Sequence, residues 1–121
     1  MMFEIFIKKE SATAGTLKFA TARIAVASPC WFAAETPITA GHSYECAATR
    51  MRDKVDSVTG EKRPGVFFRT FGVRGIFIHE GPDVTWSENC VVVPRTQFMK
   101  IWEHIVSTGQ LDKYVITVKV E

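Results

Sequence analysis

Only one stretch of this 121-residue chain repeats its apolar positions with the period of a helix; nearly every other apolar run is short, and the clearest of them alternate. From Thr96 to about Val106, the residues Phe98, Ile101, Trp102, Ile105 and Val106 fall at i, i+3, i+4, i+7 and i+8, which makes one buried stripe. Pro94 suits the entrance of that helix and Gly109 its exit. Phe3 to Ile7, Thr16 to Ala20 and Tyr114 to Val120 alternate as strands do. Arg23 to Ala27 and Cys30 to Ala34 read as two strands split by a turn at Ser28-Pro29. His42 to Thr49, Val66 to Thr70 and Gly75 to His79 add further strands, the last two separated by a turn at Phe71-Gly72. Arg50 to Gly65, charged and containing Gly60, Pro64 and Gly65, reads as a long hairpin loop and the most mobile part of the molecule. The pattern predicts a mainly β fold, a sheet or sandwich with one late helix, forming a single domain over residues 1–121. There is no βαβ alternation and no repeat.

Composition narrows the function classes. Hydrophobic residues are 46% and charged residues 23%, which is globular composition and excludes disorder. Fifteen basic against thirteen acidic residues leave a net charge of +2, too small a field to argue for nucleic acid. No apolar run approaches the ~20 residues of a membrane span. The opening MMFEIFIKKE has no basic segment ahead of its apolar stretch and carries Glu4 within it, so it reads as a strand and not as a signal peptide. The odd number of cysteines, Cys30, Cys46 and Cys90, argues against a disulfide scaffold. Without C-x-x-C spacing, and with three histidines in all, a zinc site is not expected either.

The segment Gly75 to Val93, GIFIHEGPDVTWSENCVVV, has the features of a reactive site. A strand delivers His79 at its end, a polar loop with Gly81 and Pro82 follows, and Cys90 opens the next apolar run. If those strands adjoin, the two side chains come together. A free thiol, of pKa ~8.5, is only slightly ionised at neutral pH, and an adjacent imidazole makes it a nucleophile for acyl transfer. The loop between them is able to aim backbone N–H groups at an oxyanion, with Ser87 and Asn89 flanking the sulfur. The plainer alternative is a packed cysteine at a strand start and a surface histidine at a strand end.

The I-H-x-G sequence, a short loop, then S-x-x-C before β-branched residues, a helix and a final strand resembles the L,D-transpeptidase catalytic core. The likeness is to small divergent relatives found in phages and among toxins delivered by bacterial secretion systems. Thr36 to Tyr44 resembles the family's T-P-x-G-x-Y segment, and Arg74 to His79 resembles its approach to the catalytic histidine. The resemblance covers about Cys30 to Val120. It implies Cys90 as the nucleophile, His79 as base and then acid, Ser87 as an orienting residue, and Arg74 as a guanidinium for a substrate carboxylate. Gly81, Trp86 and Asn89 would complete the substrate site. The implied substrate is a peptidoglycan stem peptide, cleaved as by an L,D-carboxypeptidase or transferred as by an L,D-transpeptidase, with no metal or organic cofactor. A cytoplasmically made chain would then reach the periplasmic wall by export or lysis, as a phage protein or effector, the latter with an immunity protein as partner. Asn89 stands where the family has glycine, and Val92 where it commonly has arginine. Asn tolerates left-handed backbone angles, so the turn survives the exchange. The alternative these departures keep open is an inactive phage-derived binding or structural module of the same fold.

Other residues divide between roles. Trp86 reads equally as a wall of the site and as loop packing. Trp31 and Trp102 are expected in the core. His42 reads as a surface turn residue or a second imidazole of the cleft, and His104 as a solvent-facing helix residue. Arg50, Arg52, Lys54, Lys62 and Arg63 share their loop with Asp53, Asp56 and Glu61, which reads as a solvated face or, functionally, as a lid. Glu80 and Asp83 make a candidate carboxylate pair near His79.

Overall fold

Alternation sends Phe3, Ile5 and Ile7 to one face of the first strand and leaves Glu4, Phe6 and Lys8 on the other. The same rule shapes the strands Ala14–Ala20, Ala25–Phe32 and Ile116–Val120, whose buried positions also alternate. The computed structural model describes residues 2–121, apart from the side chain of Asp53, which lies outside the described residues. Its elements in chain order are β1 (Phe3–Lys9), β2 (Ala14–Ala20), β3 (Ala25–Phe32), β4 (Ser43–Val55), β5 (Lys62–Phe68), β6 (Phe77–Glu80), β7 (Val91–Val93), α1 (Arg95–Ser107) and β8 (Ile116–Val120). Short 3-10 turns at Arg69–Arg74 and Val84–Trp86 lead into and out of β6.

The strands close into a barrel in the order β1-β2-β3-β7-β6-β5-β4-β8. Most pairs are antiparallel; β1–β8 and β6–β7 are parallel. An eight-stranded barrel has an interior just wide enough for side chains to fill. Leu17, Phe19, Phe32, Tyr44, Phe68 and Ile78 belong to that core, and Phe98, Ile101, Trp102 and Ile105 of α1 join it. Burying each large side chain contributes roughly 1.5–3 kcal/mol. The helix has the expected stripe, and it ends with Gly109 at φ 75, in the left-handed region that favours glycine. The expected mainly β domain with one late helix is therefore present, as a closed barrel instead of an open sheet or a two-sheet sandwich.

Three local expectations change. The two strands expected around Ser28-Pro29 are one continuous β3, in which Val26, Ser28, Cys30 and Phe32 face inward. Pro29 is tolerated because β3 pairs with β7 only at Trp31 and Phe32, so no ladder on that side requires its missing N–H. The expected loop 50–65 is mostly strand: β4 runs to Val55 and β5 starts at Lys62. Trp31 is half-buried and not in the core, while Trp102 is buried. Among the described residues no helix is long and apolar enough to cross a membrane.

Candidate active site

Because the barrel interior is filled, a cleft has to form outside it. One of about 920 Å³ lies between the projecting β4–β5 hairpin, the Arg69–Arg74 turn and the β6–β7 connection. His79 and Cys90 both line it. Their placement follows from strand register. β6 and β7 run parallel with Ile78 beside Val91, His79 beside Val92 and Glu80 beside Val93. Ile78, Val91 and Val93 point into the core, so His79, Cys90 and Val92 alternate onto the outer face. Histidine and cysteine are thus diagonal neighbours across adjacent strands, two positions out of register.

Each of the two side chains is hydrogen-bonded to backbone. The Phe77 N–H donates to Cys90 Sγ at 3.3 Å, and the thiol points to the Gly75 carbonyl at 3.7 Å. His79 Nδ1 lies 2.9 Å from the Glu80 carbonyl oxygen. A carbonyl only accepts, so Nδ1 carries the proton and Nε2 presents the lone pair. Burial holds the His79 pKa below the ordinary histidine value, with the Arg63 charge acting in the same direction against the Glu80 hydrogen bond. Burial pushes the Cys90 thiol up, and the Phe77 N–H only partly offsets this. The resting pair at neutral pH is a thiol and a neutral imidazole.

The turn before the sulfur has an unusual backbone. The Cys90 N–H donates to the Ser87 carbonyl, and the residues between, Glu88 and Asn89, both have positive φ, 41° and 70°. Asn89 does adopt the left-handed conformation expected of it, and Glu88 shares it. Non-glycine residues in this region cluster at functional sites. With its N–H occupied, Cys90 cannot offer that donor to an oxyanion.

The other expected residues separate into two groups. Arg74 and Trp86 line the cleft, Trp86 being 42% exposed. Ser87 is buried and contributes its carbonyl to the turn, and Gly81 is buried beneath Trp86. A Cβ on Gly81 would lie 2.7 Å from Val92 Cγ1 and 3.0 Å from Trp86 Cβ, so this glycine permits close packing and does not face the cleft. Asn89 is half-buried in the turn. His42 stacks on Tyr44 away from the cleft, and His104 packs edge-on against Phe3 and Phe19, half-buried and not simply solvent-facing.

Glu80 and Asp83 do not pair. Asp83 caps the turn at Thr85, and Glu80 lies 3.5 Å from Arg95. Arg95 also donates to Asp56 Oδ2 at 2.8 Å, and that carboxylate is 2% exposed. Burial by itself would raise the Asp56 pKa; the Arg95 hydrogen bond and charge, with the Val58 and Thr59 N–H groups, outweigh it and hold the carboxyl below the usual range. This clamp ties the hairpin tip to the helix start and to the residue after His79. Sequence reading missed it, because Asp56 and Arg95 are 39 positions apart and lie in no motif.

No known protein family, curated protein or solved structure matches the chain. The site is therefore read from its own chemistry. Among the described residues no cluster of three or more His, Cys, Asp or Glu side chains is arranged to hold a metal ion.

Proposed function

We propose that this protein is a cysteine acyl-transfer enzyme acting on peptidoglycan stem peptides, a small divergent relative of the L,D-transpeptidases. The observation that carries the reading is the pair His79 and Cys90, diagonal neighbours on the outer face of two parallel strands and both lining one cleft. In the reaction, Nε2 of His79 takes the thiol proton as Sγ of Cys90 attacks the peptide carbonyl carbon. Collapse of the tetrahedral intermediate breaks the C–N bond, and the imidazolium returns the proton to the departing amine. The thioester is then opened by water, giving carboxypeptidase chemistry, or by a second amine, giving transpeptidation. The cationic side chains of the cleft supply the charge that a developing oxyanion needs in place of the occupied Cys90 N–H, while Arg74 holds the substrate carboxylate. Because thiol and imidazole start neutral, the base must act during the attack, and the rate should rise as pH passes through the lowered His79 pKa and level off above it.

In this reading the substrate lies in the periplasmic wall, reached by export or lysis, as suits a phage protein or a secreted effector with an immunity partner. The test is incubation of purified wall fragments with the wild type and with Cys90→Ala, followed by mass spectrometry. Loss or exchange of a terminal D-alanine with the wild type alone is expected; no change, or the same change with both proteins, overturns the reading.

A second reading has one observation in its favour. Cys90 Sγ is bonded to Phe77 and Gly75 and not to His79, which suits an inactive binding module of this fold. Alkylation separates the two. The enzyme requires Cys90 to react well ahead of Cys30 and Cys46 and to slow in His79→Ala, whereas the module predicts no dependence on His79.

A further inference from the structure

The cationic side chains around the cleft are not equivalent. Arg50 pairs with Glu61 at 3.4 Å, and Lys54 reaches Glu88 at 3.6 Å. Among the described residues Arg52, Arg63 and Arg74 line the same cleft with no carboxylate partner. Arg63 is the most constrained. It is half-buried, its guanidinium lies 5.3 Å from the centre of the Trp86 ring, and its Nε–H is buried with no acceptor. A buried donor without a partner is costly, more so when charged, so natural proteins rarely leave one unless something else supplies the acceptor. The cation–π contact with Trp86 restrains the guanidinium at the cleft wall, where its N–H groups can meet a carboxylate as a fork. The site shares its cleft with the reacting pair, since Arg63, His79 and Cys90 all line it.

We infer that Arg63, held over the Trp86 ring, is a carboxylate-binding residue of the cleft, and that its ligand is a peptide carrying more than one acidic group, held between Arg63 and Arg74. The assignment deepens the acyl-transfer reading and rests on it for the ligand being a peptide. The acidic requirement follows from the unpaired guanidinium groups themselves. Sequence reading placed Arg63 on a solvated loop, because nothing in K-R-P-G signals that β5 begins there and turns the side chain onto the cleft.

The test uses N-acetylglutamate, which carries two carboxylates, against its diamide, which carries none. In titrations of the full chain followed by NMR, the Arg63 Nε–H and Trp86 indole N–H signals should move saturably with the diacid. The diamide should bind at least about tenfold more weakly, the difference expected for hydrogen bonds to charged groups. Arg63→Gln should weaken the diacid by about tenfold or more, with Arg63→Lys in between as a point charge without the fork. Equal responses to diacid and diamide, or unchanged affinity in a folded Arg63→Gln, would overturn the inference. Repeating the titration in Cys90→Ala separates it from catalysis. Acid-selective binding without processing of wall fragments sinks the enzyme reading alone, and processing indifferent to Arg63 sinks this one alone.

Discussion

Glu88 and Asn89 sit side by side in the left-handed region, where a residue with a Cβ is disfavoured by about 1–2 kcal/mol. Relief of that strain should outweigh the entropy glycine adds to the unfolded chain, so Glu88→Gly should raise stability by about 0.5–1 kcal/mol. Urea unfolding monitored by Trp fluorescence would check this, and a loss of stability would mean that the Lys54–Glu88 pair matters more than the backbone. The three thiols make a second prediction at this scale. Burial raises all of them, Cys30 to about 12 and Cys46 further. The unfolded chain releases those protons near pH 9 while the folded chain keeps them. Their contribution to stability is thus full below pH 9 and is lost as pH rises above it, by up to about 1.4 kcal/mol per pH unit per thiol. Cys46→Ala should make that decline shallower, read from urea midpoints between pH 7 and 10.5. Sequence alone was enough to expect the strands of His79 and Cys90 to adjoin and Asn89 to tolerate a left-handed turn. It could not separate the buried Ser87 and Gly81 from cleft-lining residues, because both lie in a loop whose path only tertiary packing fixes.

The β4–β5 hairpin shows how an element can be mistaken for a loop. Its charges fit solvent exposure, but Asp56 at its tip is buried and held by Arg95 at the first turn of α1. Removing Arg95 leaves that carboxylate buried and unpaired, so Arg95→Ala should cost about 3 kcal/mol in chemical denaturation. Lys54→Ala, which breaks an exposed pair, should cost less than about 1 kcal/mol. If the two variants prove equal, the Asp56 clamp is not a structural tie. Elements with a strong internal period were legible from sequence, as α1 and β1 show. Elements whose position depends on one remote ion pair were not.

Closure of the barrel depends on β8, which pairs with β1 on one side and β4 on the other. A chain ending at Tyr114 should lose both ladders at once and expose two sheet edges, giving aggregation in place of a cooperative transition. Size-exclusion chromatography and circular dichroism would register this, and a folded monomer would show that the barrel tolerates an open seam. Closure was hidden from sequence reading because it joins the first and last strands, and alternation marks a strand without naming its neighbours. The clean alternation of Tyr114 to Val120 identified a closing strand but left open whether the sheet met itself.

The interleaving of Cys90 with the inward-facing Val91 makes the sulfur a gauge of strand alignment. A slip of β7 by one residue against β6 would turn the thiol inward and Val91 to solvent. The fraction of molecules labelled at that one atom would then count correctly threaded barrels, whatever reaction the cleft performs.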